Sequence, residues 1–319
     1  MGFAGGSVKP GFLRTAAILT AFVIGAFIPQ AQAAAWLIRW LIMAMLFLVF
    51  LQTRLSRDAL HKSHGWLLVA NLFMGFVGWV LGWLVGGNEV ALAGFFCGIT
   101  PTATAAPVIV NFLRGRVEYV VAAFLLTNVV IAALLPAIMP YLLGQTAPTL
   151  FSDVLGSVGL VVFGPMALAW VVRKIHASAA SWPKRLSNVS FGMWVATLFL
   201  ITSRVSAFLR AHPELPRGLL VEIGTVSLAI CAMNFALGRL IGGRAFAREA
   251  SQSLGQKNTT FTIYLALAYA NPLVALGPTC YVLWHNLWNS WQLHSQARAE
   301  TVVAPPSAHD KQLYPSDRV

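Results

Sequence analysis

Lys257 is a lone cation inside an apolar stretch, flanked by Ser253, Gly255, Gln256, Asn258, Thr259 and Thr260. An ionisable side chain at membrane depth is costly, and it marks a substrate or ion pathway by default. Its neighbours suit such a pathway: Gly255 permits non-helical backbone, and the amides and hydroxyls offer donors and acceptors. A second polar run lies at 98–107. There Pro101 and Pro107 each remove an amide donor and crowd the preceding turn. Thr100, Thr102 and Thr104 can return hydroxyls to the loosened carbonyls. The run at 253–260 falls late in the second half of the chain, and that at 98–107 late in the first half. Interrupted helices at corresponding places in two halves point to the central site of a secondary transporter. Half-helix N-termini turn positive partial charge into such a site, and Lys257 adds a full charge of the same sign. The chemistry expected is therefore capture of an anionic group. The plainer alternative is that a Pro only kinks a membrane helix and that the threonines bond neighbouring helices.

These runs must be held by membrane-spanning helices. Of 319 residues, 58% are hydrophobic and only 10% charged, against about 25% charged in soluble domains. The expected class is an all-α polytopic membrane protein. Apolar stretches of spanning length run near 12–28, 35–51, 66–85, 89–113, 117–143, 153–172, 189–209, 217–241, 251–269 and 272–293. That gives ten helices, with discontinuous fourth and ninth members. The expected organisation is an N-terminus at 1–10, a five-helix repeat at 11–145, a second at 146–294 and a disordered tail at 295–319. The net charge of +12 is scattered between spans, which excludes the clustered basic face that nucleic acid requires. Cys97, Cys231 and Cys280 lie singly in apolar runs and read as small core residues.

Lys and Arg in short loops mark the cytoplasmic side. Lys9 and Arg14 precede the first span; Arg54, Arg57 and Lys62 follow the second; Arg114 and Arg116 follow the fourth. Arg173, Lys174, Lys184 and Arg185 follow the sixth, and Arg239, Arg244 and Arg248 follow the eighth. The loop after the seventh is mixed, with Arg210, Glu214 and Arg217. Both termini are thus expected in the cytoplasm. Because five is odd, two halves of one fold would run as an inverted repeat. Residues 26–33 also have the small-residue character of a signal-peptide cleavage site; the mass of the mature protein distinguishes the two. Arg204 and Glu222 sit at similar depth in consecutive spans and are expected to pair. Arg39, near the outer end of its helix, can snorkel, and Glu118 suits the N-terminus of the fifth helix.

Four stretches, 50–60, 100–107, 255–258 and 278–286, resemble the bile acid:sodium symporter family in order, spacing and placement. The run at 100–107 is similar to the family's Cys-Pro-Gly-Gly-Thr-Ala-Ser-Asn segment. Residues 255–258 resemble the end of its Glu-x-Gly-x-Gln-Asn signature, and Trp284, His285 and Asn286 resemble the bacterial members' Trp-His-Asn stretch. The resemblance implies two inverted five-helix repeats, with a panel of helices facing a core where the two broken helices cross. It implies carriage of small organic anions, many members using two sodium ions, and a place in the inner (plasma) membrane of a bacterium. By the same resemblance Thr104, Asn258, His285 and Asn286 match positions lining the substrate cavity, and Thr102, Lys257 and Thr259 beside them are expected to face the substrate too. Thr100, Pro101, Ala106, Pro107, Ser253, Gly255 and Gln256 form the crossing.

The departures bear on mechanism. Anchored on Gly255 and Asn258, the alignment puts Ser253 where the family has a sodium-ligating Glu and Lys257 where it has a ligating Gln. Ala106 and Pro107 replace a ligating Ser-Asn pair. Matching Gln256 to the family Gln instead loses the Gly match and still supplies no Glu. Losing a carboxylate and gaining an ammonium makes the site repel a cation. The expectation is an anion carrier in which Lys257 replaces the sodium ions, with no resident metal or cofactor and no enzymatic activity. A desolvated ammonium can give up its proton near neutral pH, so proton coupling, exchange and facilitated diffusion all stay open. The alternatives are a conventional sodium symporter, a non-transporting sensor of the same fold and an intramembrane enzyme. Against the last, no His-Glu-x-x-His, Gly-x-Ser-x-Gly or intramembrane Asp pair is present.

Overall fold

The computed structural model describes residues 10–52, 59–103, 105–144, 148–213, 215–216 and 218–303. Lys9, Arg54, Arg57, Thr104, Glu214, Arg217 and the tail beyond Val303 lie outside the described residues. The chain is all-α: α1 Pro10–Phe27, α2 Leu37–Gln52, α3 Lys62–Ile99, α4 Ala106–Phe112, α5 Val117–Leu142, α6 Pro148–Val158, α7 Gly164–Ile175, α8 Trp182–Arg185, α9 Ser187–Ala211, α10 Gly218–Gly255, α11 Thr259–Tyr269 and α12 Pro272–Val303. A π turn, Gly159–Phe163, joins α6 to α7. Among the described residues, five helical stretches are long and apolar enough to cross a membrane: Lys62–Ile99, Val117–Leu142, Phe151–Ile175, Asn188–Ala211 and Gly218–Gly255. Leu37–Leu51 and Thr259–Tyr269 are shorter apolar helices. The fold fits a multi-pass membrane protein, and its outer surface carries Phe27, Trp66, Phe73, Phe76, Leu84, Val221 and Leu240. The polar tail expected from 295 onward is still helical to Val303.

α3 and α10 are each 38 residues long. A straight helix of that length would reach about 57 Å, nearly twice the roughly 30 Å hydrocarbon core. Both fold back instead. α3 reverses at Gly86 (φ −145°, ψ 20°) and Gly87 (φ 74°); the positive φ suits Gly and strains almost any other residue. α10 reverses at Gly243 (φ 56°) and Phe246. The expected loop between the third and fourth spans is thus a two-glycine corner. In lipid, apolar side chains gain little by leaving one apolar medium for another, so close backbone packing and hydrogen bonds hold helices together. The arms of α3 meet on glycines, Gly78 against the Gly94 carbonyl. In α10, Gly238 packs on Ala250 and Ser251. The two hairpins form the most extensive helix pair among the described residues, sealed by Met74, Val90, Cys97, Val226, Ile230 and Cys231. Cys97 and Cys231 are buried as expected, while Cys280 is only half-buried.

The expected ion pair between Arg204 and Glu222 is not formed. Arg204 donates through Nη2 to the Leu267 carbonyl at 3.3 Å, and the Glu222 carboxylate lies against Gly86. The pairing assumed an α9–α10 hairpin. α9 packs instead on α1 and α2, and α10 on α3, which carries the two side chains to different neighbours. Basic loops from both halves do meet at one end. Arg248 donates to the Leu113 carbonyl, the Arg116 guanidinium lies 5.1 Å over the Phe246 ring, and the Arg116 amide donates to Glu249 Oε1 at 2.8 Å. Glu118 stands in the first turn of α5, as expected.

Candidate functional site

The two breaks lie against each other. Between α3 and α4 the chain is non-helical from Thr100 to Ala105, Thr104 lying outside the described residues, and between α10 and α11 from Gln256 to Asn258. The second break is shorter than the polar run that marks it, because Ser253 and Gly255 still belong to α10 and Thr259 opens α11. Thr102 and Lys257 form an antiparallel bridge. The Ala103 amide donates to the Gln256 carbonyl at 2.7 Å, and the Asn258 amide to the Pro101 carbonyl at 2.8 Å. Backbone groups freed at membrane depth must find partners within the protein; here each break supplies them to the other.

The end of α3 shows the same accounting. A helix leaves its last four carbonyls open. The Phe96 carbonyl accepts from the Thr100 hydroxyl. The Gly98 carbonyl accepts from Lys257 Nζ at 3.0 Å. The Ile99 carbonyl accepts from Asn71 Nδ2 at 2.9 Å. Asn71 Oδ1 in turn accepts from Lys257 Nζ. The ammonium therefore sits at the negative end of a half-helix, with two acceptors and 1% of the residue exposed. Charge and hydrogen bonding together offset the cost of burying it.

Around this centre α5 contributes Thr127 and Asn128. Thr127 Oγ1 accepts from the Thr102 amide at 3.1 Å and donates to Thr102 Oγ1 at 3.0 Å. Asn128 Nδ2 donates to the Thr102 carbonyl at 2.9 Å, and Asn128 Oδ1 accepts from Asn258 Nδ2 at 3.2 Å. Thr102 Oγ1 donates to the Ser253 carbonyl at 2.6 Å, and the Thr100 and Thr262 hydroxyls are 2.8 Å apart. From α12 the Tyr281 hydroxyl donates to the Gly255 carbonyl at 2.9 Å. Gly255 itself lies flat against the Phe235 ring, leaving no room for a Cβ.

Of the expected crossing residues, Thr100, Pro101, Ser253, Gly255 and Gln256 are thus brought together, in one cluster with Thr102, Lys257 and the half-buried Asn258, which were expected to face the substrate. Ala106 is buried in the first turn of α4 and Pro107 follows it. Ser253 Oγ turns back to the Glu249 carbonyl at 2.8 Å, and Thr259 is buried at the start of α11. Gln256 Nε2 is buried without a hydrogen-bond partner. His285 is buried edge-on to the Tyr281 ring, centroids 5.6 Å apart, with Nδ1 unpartnered. Asn286 Nδ2 donates to Val282 of its own helix at 2.7 Å, so it is Tyr281 that ties α12 to the break. Lys257 was expected to hold the crossing together and to attract an anionic substrate; its Nζ donates to Asn71 Oδ1 and the Gly98 carbonyl.

Asn71, Thr127, Asn128, Thr262 and Tyr281 were not singled out from the sequence. Asn71 and Asn128 carried a usable signal, since each is an amide inside an apolar span that needs a buried partner. No protein-family model and no curated protein matches this chain. The site speaks through its own chemistry: a fixed internal cation, a cross-braced pair of helix breaks, and unused polar atoms on Gln256 and His285.

Proposed function

We propose that this protein is a secondary carrier of a small organic anion, working by alternating access, with Lys257 holding the helix crossing in place of coupling sodium ions. The observation that carries this reading is the Lys257 ammonium on Asn71 Oδ1 and the Gly98 carbonyl, where two broken helices cross. A bound metal cation would need several oxygen ligands, and the tethered ammonium occupies acceptors of that kind. The proposal includes ten spans arranged as two inverted five-helix units. Its supports are the back-folded α3 and α10, each leading into a break, and the five long apolar helices. It also includes a cytoplasmic placement of both termini in a bacterial inner membrane, supported by the basic groups gathered at one end. The reading keeps the resemblance to the bile acid:sodium symporter family as its source of substrate class.

The test is uptake of radiolabelled small carboxylates into proteoliposomes, with and without sodium and with an imposed pH gradient. Uptake without sodium, lost at least tenfold in Lys257→Gln, is the expected result. Strict sodium dependence would sink the lysine-for-sodium reading. A Lys257→Gln protein with wild-type rate and pH dependence would remove Lys257 from the mechanism. Absence of translocation for every acid would leave a non-transporting membrane protein.

A further inference from the structure

A cavity of about 460 Å³ opens between α2, α9 and α11, away from Lys257. Its lining includes Arg39 and Arg204, with Trp36, Trp40, Tyr264 and Leu267. No carboxylate lines it among the described residues. Arg39 Nε is buried without a hydrogen-bond partner. Arg204 spends one donor on the Leu267 carbonyl at 3.3 Å, slightly longer than the usual range. A guanidinium has five donors in a planar fork that fits a carboxylate. Two such groups sharing one concavity need an anion, and the protein supplies none from the lining. Trp36, Trp40 and Tyr264 add aromatic surface suited to an apolar body. The volume lies within the range of small-molecule sites, about 300–1,000 Å³.

The position is informative. Tyr264 and Leu267 lie one to two turns into α11, the helix that leaves the crossing, so the cavity borders the same helix as the second break. α9 is anchored beside the end of α1: Ser203 Oγ donates to the Ile28 carbonyl at 2.6 Å and Ser206 Oγ to the Ala26 carbonyl at 2.6 Å. The cavity therefore lies near the end of α1.

We infer that Arg39 and Arg204 form an anion-binding subsite for an organic acid with a carboxylate head and an aromatic or apolar body. It is separate from the helix crossing. As a first stop on the path of a carried anion its role rests on the transport reading; as a binding site it does not.

The probe is radiolabelled 1-naphthoate, measured by equilibrium binding to the full chain in phosphatidylcholine nanodiscs. Wild type is expected to bind it saturably. Arg39→Gln and Arg204→Gln are each expected to weaken binding at least tenfold, and Lys257→Gln less than threefold. Neutral 1-naphthamide should bind all four proteins alike. Arg204→Lys keeps a charge and a donor for Leu267, so it guards against a folding defect; it should retain more affinity than Arg204→Gln at equal thermal stability. No saturable naphthoate binding to wild type, or equal binding by wild type and both Arg→Gln variants, overturns the subsite. Arg-dependent exclusion of naphthoate by phosphatidylglycerol nanodiscs would make a lipid headgroup the occupant and also overturn it. Arg-dependent binding with no uptake of any tested acid in proteoliposomes upholds the subsite and removes the carrier reading. Uptake indifferent to both arginines upholds the carrier reading and removes the subsite from the path of the carried anion.

Discussion

Truncating the partner of a buried charge should cost at least as much as truncating the partner and the charge together, and Asn71 and Lys257 allow that to be measured. In Asn71→Leu the ammonium keeps the Gly98 carbonyl but loses Oδ1, and the Ile99 carbonyl loses its donor. A buried charge left short of a partner costs about 3–5 kcal/mol. In Lys257→Met no buried charge remains, but Asn71 Oδ1 and the Gly98 carbonyl lose their donor, at about 1–3 kcal/mol each. The double variant carries neither the charge nor the Asn71 acceptor, and only two backbone carbonyls are left open. If each single variant loses about 3 kcal/mol, the double should lose about 3 as well, a coupling of about 3 kcal/mol rather than a sum of about 6. Reversible unfolding in mixed micelles, titrated with dodecyl sulfate, reads the four corners of the cycle. Additivity within about 0.5 kcal/mol would refute the claim that Asn71 exists to hold the ammonium. Asn71→Asp, which keeps an acceptor beside the cation, should be the mildest change at this position.

Three further outcomes follow from the packing. Thr102→Val removes the donor to Ser253 and the acceptor for Thr127; a loss of about 1–3 kcal/mol in the same unfolding assay, largely restored by Thr102→Ser, is expected. Gly255→Ala drives a methyl into the Phe235 ring; an overpacking cost of about 1–3 kcal/mol should shrink when combined with Phe235→Leu. Gly78→Val pushes a side chain into the Gly94 carbonyl inside the α3 hairpin, where backbone has no rotamer to yield, so the monodisperse fraction on size exclusion should collapse while Gly65→Ala, which meets nothing, leaves it unchanged.

Local chemistry was legible in the chain itself. Pro101, Pro107 and Gly255 break helices by backbone geometry that depends only on neighbouring residues. The apolar spans and the anomaly of Lys257 need only composition and length. That is why the two breaks and the helical class could be read before any contact was known, while the turn between the third and fourth spans was expected only as a loop and its two-glycine corner came from the structure. The partners of the charged groups could not. Lys257 meets Asn71, 186 residues away, and Arg204 turns to Leu267 rather than Glu222. Spacing said that each buried charge needs a partner, because desolvation demands one. Which partner depends on which helices touch, and that is set by long-range packing: glycine-faced hairpins in α3 and α10, and α9 lying against α1. Where the helices fail, and that a cation stands at one failure, follow from local residue chemistry; that the two failures repair each other, and that the cation closes the end of α3, follows from long-range packing.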